Sequence, residues 1–291
     1  MAANAMPPMT AEGGFPAIFV ISLSTSRERR EHIARQLTTL GLPWEFIDAV
    51  DGLALPPDDV QRVGDSTVIE VSPGLRRRLT PGEIGCALSH QHCYRLIRER
   101  GLPMAIILED DVDVSVELLA VMRALPRFPR NWELVLFAHH SARHGPNEGA
   151  ATAWRGVAVH RRHRVARVVE FAMGAMAYLI SHEGARKLLD HGTPVRMPAD
   201  WLTGYAPSAG VRLFAVTPPV ITPHAATPHA TTLPDREASF SWTQQTPRRG
   251  PVFVRLRMWV GTVLLWMRKA GVYPDAYSRR LQALTNGNRA R

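Results

Sequence analysis

The apolar positions of this chain fall into short dense runs separated by segments with helical spacing. Residues 17–23 (AIFVISL) make a β-rich apolar run, and over 24–40 a charged face alternates with Ile33, Leu37 and Leu40 at helical intervals until Gly41. Residues 44–50 (WEFIDAV) read as a second strand that closes on Asp51-Gly52. Strand, helix and strand in that order predict a β-α-β unit, the usual opening of a parallel sheet.

Residues 53–79 contain proline and hold no steady period, which predicts an irregular segment ending in Arg76, Arg77 and Arg78. The next stretch, LTPGEIGCALSHQHCYRLIRERG, carries the most explicit local signal. Thr80 opens a T-x-x-E capping box with Pro81 at the first helical position and Glu83 at the third, which predicts a helix over 81–99. That helix leads directly into an apolar strand at 105–108. Residues 132–138 (WELVLFA) predict another strand, and 139–164 a long surface loop with room for a hairpin. Residues 177–181 (AYLIS) followed by HEGARKLLDHG predict strand then helix, and 211–216 a late strand. From about 223 the chain turns rich in Pro, Thr and His, as linkers do.

The organisation expected is therefore a disordered leader over 1–15, one α/β domain over 16–222, a linker over 223–247 and a basic amphipathic segment over 248–291. The leader has neither a basic n-region nor an apolar h-region, so it does not read as a signal peptide. In the last segment, Trp259, Leu264, Leu265 and Trp266 lie among Arg248, Arg249, Arg255, Arg257, Arg268 and Lys269. The longest uncharged stretch there, 258–267, is too short to cross a bilayer. The mixture suits a helix lying on an anionic membrane surface, or one packed on the domain.

Composition narrows the chemistry. With 291 residues, 45% hydrophobic and 21% charged, the chain suits an ordinary globular protein. Its formal charge of +9 comes almost wholly from arginine, since Lys187 and Lys269 are the only lysines, and it suits polyanionic partners. No aromatic-basic recognition pattern accompanies that charge, so a nucleic-acid module is discounted. Cys86 and Cys93 lie seven residues apart on one predicted helix, roughly 10 Å, beyond the about 7 Å limit for a disulfide. Two unpaired thiols fit a cytoplasmic compartment.

The stretch LPMAIILEDDVD raises the main question, because a buried strand ends in four carboxylates within five positions. Ligands of open α/β sheets bind just beyond the carboxyl ends of such strands. Adjacent carboxylates repel one another, and a hard divalent cation removes the repulsion while bridging phosphates. On an extended chain Glu109 and Asp111 point the same way and can share one ion, with Asp110 facing the opposite side. The same acids can also cap the following segment or form a solvated edge.

Four ordered blocks, VISLSTSRERREHIARQL, EFIDAVDG, LTPGEIGCALSHQHCYRLI and AIILEDDV, resemble glycosyltransferase family 25, whose enzymes build lipopolysaccharide or lipooligosaccharide. AYLISHEGARKLL and PADWL resemble two further blocks, so the likeness runs from about 17 to 220. It implies a GT-A type fold, a Rossmann-like nucleotide-sugar-binding domain with a mostly parallel central sheet. It implies a UDP-sugar donor, UDP-galactose first, and a lipid-linked oligosaccharide acceptor at the inner face of the cytoplasmic membrane. It also implies that Glu109 and Asp111, with Asp110 between them, hold Mn2+ or Mg2+ on the donor diphosphate.

The other site candidates follow the same blocks. Ser22, Leu23 and Ser24 end the first strand where the family places uridine, and Arg27, Arg29 and Arg30 suit a diphosphate as much as a solvated helix face. Asp51 resembles an acid near base and ribose, although an Asp-Gly turn needs no ligand. Ser89 and His90 are candidates for donor positioning or for a satisfied core, and Cys86 reads as core. Asp200, in PADWL, is the candidate general base for an inverting transfer, or the N-cap of a helix starting at Trp201. His139, His140 and His144 read as a loop cluster rather than a metal site. His224 stands apart as a candidate late ligand. Two other functions keep their place beside the transferase: a divalent-metal phosphoesterase, and a non-catalytic binder of anionic lipid.

Overall fold

A computed structural model describes residues 15–64, 68–72, 75–141, 148–224 and 265–271. The expected leader lies outside these except for Phe15; of the linker only 223 and 224 are described, and of the C-terminal segment only 265–271.

The chain opens with β1 (Ala17–Ser22), α1 (Arg27–Thr39) and β2 (Trp44–Asp48), and β1 pairs with β2 in parallel. This is the predicted β-α-β unit. After it come α2 (Pro57–Gly64) and a two-stranded ribbon, β3 (Val68–Ser72) with β4 (Leu75–Arg78). The expectation of an irregular 53–79 is corrected here. Its helix has only eight residues, and its ribbon is too short to show a clear period.

Next is α3 (Pro81–Glu99), with the bounds the capping box sets. Its box closes in both directions: the Glu83 amide donates to Thr80 Oγ1 at 3.3 Å and the Thr80 amide to Glu83 Oε2 at 2.9 Å. There follow β5 (Met104–Glu109), β6 (Val112–Val114), α4 (Glu117–Arg123), β7 (Leu134–Leu136), β8 (His140–Ser141), β9 (Thr152–His160) and β10 (His163–Val168). The chain continues through β11 (Ala172–Met173), β12 (Ala177–Ser181), α5 (His182–Gly192), α6 (Ala199–Gly204), β13 (Leu213–Thr217) and β14 (Ile221–Pro223).

The main sheet has eight strands in the order β2-β1-β5-β12-β7-β13-β10-β9, and all run the same way except β12 and β10. Within the long loop expected at 139–164, the hairpin allowed for there is present, and it belongs to the main sheet and not to a surface loop. The second half of that stretch, from Thr152 on, opens the β9–β10 hairpin, paired antiparallel onto β13 as the edge of the main sheet. The arginines that made it look like solvated loop, Arg155, Arg161 and Arg162, are among the exposed residues of that edge.

Strand β5 is central and apolar on both faces. Ile106 and Leu108 join the core shared with Ile33 and Leu37 of α1, while Ala105 and Ile107 pack with Cys93, Tyr94 and Ile97 of α3. Burial on both sides is why residues 105–108 read as a continuous apolar run. The start of α3 is set hard against the loop after β2. A Cβ on Gly52 would lie 1.8 Å from the Pro81 carbonyl oxygen, and one on Gly85 2.5 Å from that of Val50. Ser89 bonds across the same junction, accepting from the Val50 amide at 2.9 Å and donating to the Gly85 carbonyl at 2.7 Å. Its role is to hold the helix to the sheet.

This contact predicts that Gly52→Ala destabilises the fold by about 3 kcal/mol, the upper range for overpacking against atoms that cannot move aside. A urea midpoint equal to that of the wild type would show that the junction yields.

Candidate active site at the ends of three parallel strands

Strands β1, β2 and β5 register Ser22 beside Asp48 and Ile21 beside Glu109, so their carboxyl ends form one edge. The row of acids leaves β5 at this edge, and its members find different partners. Asp110 is buried; its Oδ2 accepts from Ser22 Oγ at 2.6 Å and its Oδ1 from Arg29 Nη1 at 3.3 Å. The same Arg29 nitrogen lies 3.8 Å from Asp111 Oδ2. Asp110 and Asp111 thus share one guanidinium, and the expected opposite facing of Asp110 is corrected. Regular alternation stops because β5 ends at Glu109 and the backbone bends over residues 110 and 111.

Glu109 turns toward α3. Its Oε1 lies 3.3 Å from His90 Nε2 and 4.0 Å from Cys86 Sγ. Behind it runs a buried chain: His90 Nδ1 is 2.8 Å from Tyr178 Oη, which is 2.8 Å from Tyr94 Oη. Burial raises the pKa of both phenols, so each keeps its proton. An ionised Glu109 selects the direction of the whole chain. If Tyr94 donates to Tyr178 and Tyr178 to His90 Nδ1, then Nε2–H is left to donate to the carboxylate. The reverse order would set a lone pair of Nε2 against a negative oxygen. His90 is therefore bound on both sides, and it fixes Glu109.

Asp111 is the acid left short of partners. Its side chain is 26% exposed, yet Oδ1 is inaccessible and has no hydrogen-bond partner. Burial, followed by the charge of Glu109, raises its pKa to about 7, and Arg29 only partly opposes this. A buried carboxylate oxygen with no donor is costly, and a cation is one of the few groups that repays it next to two further acids. On this observation the residues fit a hard divalent ion. Among the described residues, however, Glu109 groups with Cys86 and His90, and no cluster unites it with Asp111.

The remaining candidates divide between binding surface and scaffold. Ser24 and Arg27 are exposed at the entrance to α1. Arg30 donates to the carbonyls of Leu23 at 3.1 Å and Ser22 at 2.9 Å, pairs with Asp48, and lies 4.5 Å from the Phe46 ring centroid. It pins β1 to β2. Asp51 is exposed and its Oδ1 accepts from the Leu53 amide at 3.0 Å, the Asx turn that an Asp-Gly step favours. Asp200 is the second residue of α6, and Pro198 occupies the N-cap position, so the N-cap alternative at Trp201 is corrected. Thr203 of α6 donates to the Gly174 carbonyl at 3.3 Å, and the Met176 carbonyl accepts from the Glu109 amide at 2.8 Å. These two bonds tie α6 and β5 to the same 174–176 segment.

His139 is settled by its partners. Nε2 faces the Val216 carbonyl at 2.9 Å and Nδ1 accepts from the Ala150 amide at 3.0 Å, which one neutral tautomer satisfies in full; burial lowers its pKa accordingly. It is a core residue, and His144 lies outside the described residues. Residue-by-residue reading missed Tyr94, Tyr178, His32 and Asp113. Of these only Asp113 carried a signal, standing two positions beyond Asp111.

The strained state of Asp111 has a sign. Its folded pKa lies above the ordinary 3.8, so the folded protein binds the extra proton and loses stability as pH rises from about 4 to 7. In cation-free buffer, Asp111→Asn should melt above the wild type at pH 8, and the gap should close toward pH 5. A pH-independent difference between the two melting curves would contradict this.

Comparison with known proteins places residues 15–203 in a match to the family described as "Glycosyltransferase family 25 (LPS biosynthesis protein)". The chain is 28% identical to procollagen galactosyltransferase 1 of Danio rerio over 264 residues, 83% of this chain and 42% of that protein. It is 28% identical over 268 residues to human procollagen galactosyltransferase 2, covering 84% and 40%. It is also 27% identical over 265 residues to the mouse protein named inactive glycosyltransferase 25 family member 3, covering 83% and 42%. The chain thus spans less than half the length of these curated relatives.

Proposed function

This chain belongs to glycosyltransferase family 25, and from that premise we propose that it transfers a hexose from a UDP-sugar to a saccharide acceptor. Since relatives of similar identity include proteins named as galactosyltransferases and one named as inactive, family alone does not carry the reading. The observation that carries it is Asp111 Oδ1, buried and unpartnered beside Glu109 and Asp110 at the edge where nucleotides bind. Galactose is the first donor sugar to test, following the relatives' names. The acceptor we favour is a lipopolysaccharide or lipooligosaccharide core, following the family's description.

In this reading a divalent ion, Mn2+ or Mg2+, supplies positive charge against the leaving diphosphate. The protein's own residues do the rest. Glu109, fixed by His90, and Asp111 hold the ion; Ser22, Leu23 and Ser24 line the nucleotide end; Arg27 and Arg29 face the phosphates. Asp200 takes the proton of the acceptor hydroxyl as its oxygen bonds to the anomeric carbon, and the bond from that carbon to the diphosphate oxygen breaks with inversion.

Glu109→Ala and Asp111→Ala should each lower transfer from UDP-galactose by orders of magnitude while leaving the melting curve within a few degrees of the wild type. EDTA should abolish transfer and excess Mn2+ restore it. Undiminished turnover in either variant removes the acids from the chemistry. Asp200→Asn should keep UDP binding by calorimetry and lose transfer by about 10² to 10⁴-fold, the usual contribution of a positioned base. An equal loss of both would reassign Asp200 to binding.

We place the protein at the cytoplasmic face of an anionic membrane. No helix among the described residues is long and apolar enough to cross a bilayer. Trp154 on edge strand β9 and Trp266 in the C-terminal segment are 51% and 57% exposed and meet edge to face, ring centroids 5.3 Å apart. Exposed Arg155, Arg161 and Arg162 share that edge. Paired exposed indoles with nearby arginines suit a headgroup layer. Replacing both tryptophans by alanine should reduce co-sedimentation with phosphatidylglycerol vesicles severalfold and spare transfer to a short soluble acceptor; unchanged pelleting would locate the contact elsewhere.

A further inference from the structure

Three aromatic rings meet where α6 packs on the segment that leads into β12. Phe171 and Tyr205 stack with centroids 4.3 Å apart and planes tilted by 21°. The Trp201 indole stands edge to face with both, 6.4 Å and 85° from Phe171 and 6.0 Å and 76° from Tyr205. All three residues are half-buried, as is Asp200, which directly precedes the indole on α6. We propose that Phe171, Trp201 and Tyr205 form the acceptor subsite, a platform that takes the apolar C–H face of a neutral pyranose ring and so selects a saccharide acceptor. The inference deepens the transferase reading and rests on it for the reaction, but not for the binding.

The platform is held in place by the protein itself. A Cβ on Gly204 would lie 2.3 Å from the Ala172 carbonyl oxygen and 2.4 Å from Phe171 Cε2, so α6 is seated directly against Phe171 and β11. Trp201 and Tyr205, four apart, share one face of the helix end. Trp201 also packs on the cluster of Leu79, Ile84, Ala87 and Val195, which joins it to the start of α3. The location follows from the sheet. Strand β12 runs antiparallel to β5 with Ala177 beside Leu108, and the Met176 carbonyl accepts from the Glu109 amide at 2.8 Å. The segment from Phe171 to Met176 therefore enters the sheet at the end where the acid row leaves it.

The chemistry of the set selects the ligand. Partly exposed apolar side chains are ordinary singly, but grouped they mark interaction sites. Flat rings fixed at an angle to one another suit a rigid apolar surface of ring size, and the indole N–H and phenol O–H are of the kind that bond hydroxyl groups at its rim. A pyranose is such a ligand: its C–H bonds make an apolar face and its hydroxyls a polar rim. The charged residues next to the rings in sequence, Glu170 and Asp200, are both acids, which disfavours a phosphate or a nucleotide at this place. A sugar ring held on α6 lies beside the residue assigned the proton of its hydroxyl.

The test uses the full chain with UDP and Mn2+, and reads saturation-transfer NMR from the aromatic protons of the protein to methyl β-galactoside, methyl β-glucoside and methyl α-mannoside. At least one glycoside should receive saturation on the C–H protons of one ring face. Trp201→Leu and Phe171→Leu, which keep apolar bulk and remove the flat ring, should each cut that transfer severalfold, and Trp201→Phe should retain most of it. Circular dichroism selects the variants that keep the wild-type fold, and Tyr205→Leu, at the end of α6, replaces either one that does not. With the best glycoside as acceptor, the Leu variants should raise its KM by about 3- to 10-fold, the worth of one aromatic contact, and leave the KM for UDP-galactose unchanged. Saturation that the Leu variants lose, in a chain that transfers from no UDP-sugar, supports the platform and removes only the transferase reading. Absence of saturation on every glycoside with the wild type overturns the proposal. So does saturation or acceptor KM unchanged in the folded Leu variants, which would make the rings packing alone. Saturation passing to the uracil protons of UDP, and lost in the same variants, overturns it too, by placing the nucleobase on the rings.

Discussion

Four carboxylates within five positions at the end of one buried strand cannot all remain ionised without compensation, and much of the local structure is that compensation. Each acid draws its answer from a different part of the chain. Asp110 takes the Ser22 hydroxyl and the Arg29 guanidinium, Glu109 the His90 imidazole, and Asp113 two imidazoles. Asp111 is left with a share of Arg29 and one oxygen that nothing in the protein answers. Leaving one buried acceptor unsatisfied among three satisfied ones is the pattern expected where an external ligand completes the set.

How much of this was legible in the sequence depends on the range over which each feature is determined. The α3 helix was legible to the residue because Thr80, Pro81 and Glu83 act within one turn. The β1-α1-β2 opening was legible because its periods change cleanly from strand to helix and back. The place of the acids at the carboxyl end of a strand buried on both faces was legible because a continuous apolar run predicts such a strand. Their individual facings were not. Alternation holds only while the strand lasts, and β5 ends at the first of the four.

Other parts depend on contacts that no local window contains. Tyr178 lies 88 residues from His90 and Asp113 lies 111 residues before His224, so neither partnership leaves a mark on the other's neighbourhood. The β9–β10 hairpin was expected only as an option within a surface loop, and its place in the main sheet went unread for a related reason. It is an edge of the sheet, exposed over 154–156, and its shifted register breaks the period-two alternation that a strand would show. Arg30 shows the reverse error: an arginine that suits phosphate by position is instead used up by the carbonyls of Ser22 and Leu23 and by Asp48.

The division between scaffold and chemistry follows from these partners. Residues whose polar atoms are answered within the protein, such as Ser89, Arg30 and His139, hold elements together, and the fold would lose something definite without them. His90 belongs with them in its contacts but differs in what it holds. It is locked between a phenol that stays protonated and a carboxylate, so its one available N–H is always directed at Glu109. A donor so directed draws off part of the charge of Glu109 and restricts its rotation. Asp111 has no such donor behind Oδ1, so the two acids differ in how far the protein itself answers their charge.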